Sequence, residues 1–308
     1  MPSLSLVESA KVTQNPLIAG IIESIVTVNQ MYSFLPFDQI VGNALLYTRE
    51  NAIGGVAPVG IGGGSNTIPA GAKTPATFTP VTTPLKAMIG DAMVDHFIET
   101  TMGNVNSQRG VQIASKAKSL GREYQRQLIL GDSTDPLEFD GLQKLMPAAQ
   151  TIEAASAAYS LELLDETISK VTGKDGQVDF IMMPDVALRK HMSLLRSLGG
   201  ATISEVRTMP DGSQMQMYRG IPMMRNDYIP VTGTVTQTTD IYMGCFDDGS
   251  RKVGIAGLTS QVQNGIFASY VGEAEATNDT ITRLRFYASM AIFSELGVAK
   301  LNDVKVKG

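Results

Sequence analysis

Residues 107–130, SQRGVQIASKAKSLGREYQRQLIL, hold the strongest helical pattern in the chain. Ile113, Ala117, Leu120, Tyr124 and Leu128 recur every three or four residues and therefore fall on one stripe of an α-helix. Gly131 follows directly, and a glycine just past the last turn is expected to end the helix in a left-handed conformation. Arg109, Lys116, Lys118, Arg122 and Arg126 decorate the rest of the surface. Lys118, Arg122 and Arg126 are spaced by four and share one face. That face suits contact with phosphates, simple solvation, or ion pairs with another copy, and the spacing alone leaves all three open.

On the C-terminal side, Phe139-Asp140-Gly141-Leu142 marks a turn, and an Ala/Ser-rich stretch leads to a helix over Leu161–Val171. A short apolar strand, Val178–Met183, stops at Pro184, and a further helix buries Leu188, Met192, Leu195 and Leu198 before Gly199-Gly200. This helix-strand-helix order reads as a compact α/β region. Short strands follow at 214–218, 221–225, 241–246 and 253–256, separated by Pro210-Asp211-Gly212 and Asp247-Asp248-Gly249. The last long element runs from Thr280 to Phe293 and alternates: Leu284, Phe286, Ala288, Met290 and Ile292 face one way, Arg283, Arg285, Tyr287 and Ser289 the other.

On the N-terminal side the composition changes. Between Glu50 and Lys86 the only charge is Lys73, and the segment is rich in Gly, Thr and Pro. It is too poor in apolar side chains to form a core of its own. Val56, Val59, Ile61, Ile68, Phe78 and Val81 fit a two-stranded excursion ordered by neighbours. Gly60-Ile61-Gly62-Gly63-Gly64-Ser65 lacks the last glycine of a dinucleotide loop and opens no helix. Residues 15–35 read as an amphipathic helix with Leu17, Ile21, Ile25, Val28, Tyr32 and Leu35 on one side. No Lys or Arg occurs between Lys11 and Arg49, so the helix is expected to pack on protein and not on lipid.

Composition narrows the function. At 308 residues the chain exceeds the usual limit of a single core, and two compact regions, or one with long appendages, are expected. A net charge of −5 gives no global pull on polyanions, so any contact with nucleic acid must be local. Only 18% of residues are charged, which suits outer faces covered by other copies. One cysteine, Cys245, excludes an internal disulfide, and two histidines, His96 and His191, are too few and too far apart for an imidazole metal site. The N-terminus has no secretory pattern, and 51–72 carries seven glycines and two prolines, unlike a spanning helix. Catalytic signatures are absent; Asp132-Ser133-Thr134-Asp135 and Asp247-Asp248 read as turn chemistry, Cys245 as a small buried residue, and Met182-Met183 and Met223-Met224 as core filler. No enzyme activity and no cofactor are expected.

The order of these pieces resembles the major capsid proteins of tailed bacteriophages, the Hong Kong 97 type fold. Leu35-Pro36-Phe37, Tyr47-Thr48-Arg49-Glu50, Leu130-Gly131-Asp132, Phe139-Asp140-Gly141-Leu142, Met183-Pro184-Asp185, Gly220-Ile221-Pro222, Asn226-Asp227-Tyr228-Ile229-Pro230 and the late Arg-Leu-Arg-Phe-Tyr strand carry the resemblance. It implies an α+β fold with an N-terminal arm (1–44), an extended loop (45–86), and a peripheral domain (87–142) with a spine helix at 107–130. An axial domain (143–255), peripheral return strands (256–294) and a C-terminal segment (295–308) would complete it.

The implied role is a virion shell of hexamers and pentamers around double-stranded DNA, assembled in the host cell cytoplasm, with a portal and a cement protein as further partners. The chain starts directly at the arm, so a separate scaffolding protein is expected, or a mature chain already trimmed. Leu17, Ile21, Ile25, Val28, Val59, Ile61, Ile68 and Lys73 would make inter-subunit contacts, and Lys118, Arg122 and Arg126 would face the lumen and its DNA. Lys73 is the one candidate for the loop cross-link some relatives make; otherwise it is a tip lysine touching a neighbour. An encapsulin-like compartment, and an enzyme with an unrecognised site, are the other readings.

Overall fold

The computed structural model describes residues 31–58, 70–102, 108–174, 176–197, 205–208, 214–262, 265–275 and 277–307. A short helix α1 (Met31–Phe34) leads into β1 (Phe37–Ile40), and β2 (Ala44–Ala52) and β3 (Thr77–Pro84) form a separate ribbon. Next come β4 (Lys86–Asp95), α2 (His96–Met102), α3 (Gln108–Leu130), α4 (Leu142–Leu145), β5 (Thr151–Glu153) and α5 (Leu161–Thr172). The chain continues through β6 (Phe180–Met183), α6 (Asp185–Ser197), β7 (Glu205–Thr208), β8 (Gln214–Tyr218), β9 (Ile221–Arg225), β10 (Val231–Thr232) and β11 (Gln237–Gly244). It ends with β12 (Ile255–Ser260), β13 (Phe267–Glu273), β14 (Asp279–Ile292) and β15 (Val298–Lys307).

β14 organises the first sheet. β4 runs antiparallel along one edge, from Asp279↔Asp95 to Ala288↔Lys86. β12 and β13 share the other edge, pairing with 288–292 and 280–285, and β1 adds in parallel outside β12. The alternation legible in the sequence sets the faces: Leu284, Phe286, Ala288, Met290 and Ile292 are buried in one apolar cluster with Leu120, Tyr124 and Leu128 of α3. The Tyr124 ring lies 5.3 Å from Phe286 and 5.7 Å from both Phe37 and Phe139, and its hydroxyl donates to Ser289 O at 3.2 Å. Gly257 is what lets this cluster close, since a Cβ there would sit 2.7 Å from Phe37 Cε1 and 3.0 Å from Tyr124 Oη.

Gly131 ends α3 as expected but by another route. It does not adopt a left-handed conformation. The returning segment crosses the helix end instead, with Gly141 N donating to Gly131 O at 2.8 Å, and a Cβ on Gly131 would lie 2.2 Å from Phe139 O. Glycine is needed there for close approach rather than for its backbone angle.

The second sheet has the order β5-β15-β11-β6-β9-β8-β7, with β10 on β11. Its central strands are buried on both faces. Ile181, Met183, Met223, Ile241 and Met243 point to the cluster under α5 and α6, whereas Phe180, Met182, Met224 and Tyr242 join the α3–β14 core. The period of two thus splits the continuous apolar runs between two cores and explains why they show no polar alternation. Ser160 starts α5 by accepting from Leu163 N at 3.2 Å.

Seven strands lie where the sequence gives no element: β1, β4, β5, β7, β10, β13 and β15. Thr280–Phe293 is therefore not the last long element. β15 follows it, between β5 and β11. Its reading is masked by Lys300, which is only 8% exposed yet bonded to Asp240 at 2.8 Å and set 5.5 Å from the centre of the Tyr242 ring. No described helix is long and apolar enough to cross a membrane, and no described group of three His, Cys, Asp or Glu is placed to hold a metal.

Candidate assembly interface

The β2–β3 ribbon is fixed at one end and uncovered along the rest. At its root, Leu45 is buried with Ile40, Ala256, Leu258, Ala291 and Phe293. Tyr47 meets Phe293 edge-on at 5.3 Å and its hydroxyl donates to Ile292 O at 2.9 Å. Arg49 donates to the same carbonyl at 2.5 Å and pairs with Glu295 at 2.6 Å. One strand of the ribbon is thereby clamped to the end of β14.

Beyond Arg49 the side chains have little to pack on. Ile53 is 84% exposed, Val56 94% and Phe78 62%, and Leu46 near the root is 69% exposed. Single exposed apolar residues are ordinary, but here they follow one ribbon through a stretch where Lys73 is the only charge after Glu50. Lys73 closes a one-turn 3-10 helix (Ala70–Lys73) and is exposed. A chain this poor in self-contact and in charge lowers its free energy by being covered.

The basic face of α3 is the second surface. Lys118 is exposed and Arg122 and Arg126 are half-buried, in line with their common spacing. Arg126 is already engaged: it pairs with Glu123 at 2.6 Å and with Glu138 from the turn after the helix. These bonds raise the Arg126 pKa, and the Arg126 bond holds the Glu123 carboxyl below its usual range. Arg126 thus has a structural role within the chain. Near the helix start, Arg109 lies 4.5 Å from the centre of the Tyr270 ring and donates to Thr282 at 3.1 Å.

Of the remaining expected contact residues, Leu17, Ile21, Ile25, Val28, Val59, Ile61 and Ile68 lie outside the described residues. What the structure adds is the root clamp of Tyr47, Arg49 and Glu295, together with Leu46 and Ile53. Arg49 carried a signal as the first cation after Lys11, but its partner Glu295 is 246 residues away and invisible to local patterning.

The acidic clusters behave as turns. Asp132 accepts from Thr134 N at 2.8 Å and Lys144 at 2.7 Å, the lysine bond coming first among the causes that push its carboxyl pKa far down. Asp248 accepts from Ser250 N at 2.9 Å, and Asp247 from Arg251 N at 3.1 Å. Cys245 is buried, donates to Gly297 O at 3.4 Å, and burial pushes its thiol up to about 11, the wrong direction for a nucleophile.

The sequence matches no protein-family model and none of the curated proteins. Solved structures match along nearly the whole chain. The holo-SrpI encapsulin complex from Synechococcus elongatus PCC 7942 aligns with a TM-score of 0.74 at 15% identity, covering 100% of this chain and 98% of that one. The capsid of an empty GTA particle aligns at 0.63 and 10% identity, covering 99% of each. The structure of phage G gp27 major capsid proteins with gp26 decoration proteins aligns at 0.61 and 10%, covering 98% and 99%. The α+β fold of this chain is the Hong Kong 97 type fold of capsid proteins.

Proposed function

We propose that the protein is a structural shell subunit, the major capsid protein of a tailed bacteriophage, and that it acts by assembly and not by turnover. The observation that carries this reading is the ribbon: clamped at its root by Arg49, with Ile53, Val56 and Phe78 exposed beyond it. Residues 45–86 serve as the extended loop laid on a neighbouring copy, residues 1–44 as the arm, and 107–130 as the spine of the peripheral domain. Residues 143–255 form the axial domain, joined by β15 in the same sheet. The contacts are heterologous, the same ribbon of each copy meeting a different surface of the next, so they close rings of five and six and then a shell. Large permanent interfaces of this kind supply the burial the ribbon lacks in one copy.

In this reading Lys118, Arg122 and Arg126 line the lumen and meet packaged double-stranded DNA, a separate scaffolding protein guides assembly in the host cytoplasm, and a portal and cement protein complete the virion. The second reading, an encapsulin-like compartment, is favoured by the encapsulin alignment. Electron microscopy of the expressed protein tests the shell: capsomers, tubes or closed particles are expected, and a stable folded monomer of 32.9 kDa would refute it. Particles from the native source separate the two readings, because a capsid holds DNA and a compartment holds a cargo protein.

A further inference from the structure

Of the two histidines in the chain, His96 is exposed on α2 while His191 is 1% exposed on α6, inside the apolar cluster beneath the second sheet. Its Nδ1 lies 2.8 Å from the Tyr159 hydroxyl. Tyr159 and Tyr218 both meet the imidazole edge-on, with ring centres at 5.9 Å and 5.6 Å. Tyr218 in turn donates to Asp165 of α5 at 2.9 Å, and Asp165 pairs with Arg219 at 3.1 Å. The four residues tie four pieces of the fold together: α6, the segment before α5, β8, and α5.

We propose that this cluster is an acid-sensitive joint: protonation of His191 releases α6 and the β7–β8 hairpin from the second sheet while the α3–β14 core stays folded. An imidazolium donates from both nitrogens, so Tyr159 would have to accept, and among the described residues no carboxylate is bonded to the ring to compensate the charge. Asp165 is engaged by Tyr218 and Arg219, Arg189 of the same helix pairs with Asp185 at 2.9 Å, and β15 brings Val304 and Val306 to this cluster. Burial lowers the pKa of the imidazole. The sign follows: the unfolded histidine takes up its proton near 6.5 and the buried one resists, so stability falls as pH drops below 6.5.

The pieces differ in how firmly they are held. Tyr159 is fixed to β15 by its own N–H bond to Lys305 O at 2.9 Å and by the bridge Ala158↔Lys305. β8 holds to β9 through two register pairs, Met217↔Pro222 and Tyr218↔Ile221. The joint therefore opens on the α6 and β8 side.

Hydrogen exchange with mass spectrometry on the full chain, as isolated, at pH 7.5 and 5.5 and corrected for intrinsic rates, tests this. Protection in 185–197, 205–208 and 214–218 should fall about tenfold per pH unit below the onset, with that of 108–130 and 279–292 unchanged. His191→Phe and His191→Gln should abolish the acid-specific loss, and His96→Gln should keep it. Because His96→Gln leaves His191 as the sole histidine, that variant carries the test even if neither His191 replacement folds. A loss that persists in His191→Phe, that disappears in His96→Gln, that spreads equally to 108–130, or that is absent from the wild type overturns the proposal.

Discussion

Replacing Ile53, Val56 and Phe78 together by Ser separates folding from assembly. Inside one subunit these side chains retain most of their exposure, at 84%, 94% and 62%, so removing them costs the fold little. Burying a Val, Ile or Phe fully is worth about 1.5–3 kcal/mol. At the low end of that range, about 1.5 kcal/mol apiece gives roughly 4–5 kcal/mol per ribbon contact. At 1.4 kcal/mol per decade that is about three orders of magnitude in the association constant, repeated at every contact around a ring. The variant should melt within about 2 °C of wild type and remain unassembled at concentrations where wild type forms particles by light scattering and electron microscopy. Normal particles at wild-type concentration, with the melt unchanged, would mean that the ribbon is not the assembling surface.

Gly131→Ala places a methyl 2.2 Å from Phe139 O and should destabilise the chain by about 3 kcal/mol, lowering the thermal midpoint by more than 5 °C; an unchanged melt would show that the helix end can relax. Arg49→Met should leave the melt of the body intact yet speed limited proteolysis of residues 50–80, since the ties to Ile292 O and Glu295 are lost. Lys118→Gln with Arg122→Gln should lower nucleic acid retained by purified particles and flatten its salt dependence, without changing empty-shell yield; equal retention would remove the phosphate contact. Asp91 accepts two bonds from Arg283, at 2.8 Å each, and the Arg283 bond depresses its carboxyl below 3.8. A depressed carboxyl contributes stability that is complete above 3.8 and lost as pH falls through the folded value, so Asp91→Asn should flatten that acid limb in a urea titration series.

Local pattern alone determined the elements whose periodicity is clean. Helix α3 ends at Leu130, just before the glycine that its pattern runs into, and β14 buries the residues its alternation assigns inward, because a helix or a half-buried strand writes its own geometry into 14 to 23 consecutive residues. The charge-poor ribbon and the Asp-bearing turns were equally legible, since composition limits what a segment can bury by itself and Asp bonds its local backbone. Tertiary structure alone decided the rest. β15 is hidden because Lys300 is compensated by Asp240 and Tyr242, which come from another strand. Gly131 is fixed by a segment ten residues on, and the root of the ribbon by Glu295 at the far end of the chain. Such contacts depend on distances between remote residues, and a one-dimensional pattern carries no record of distance.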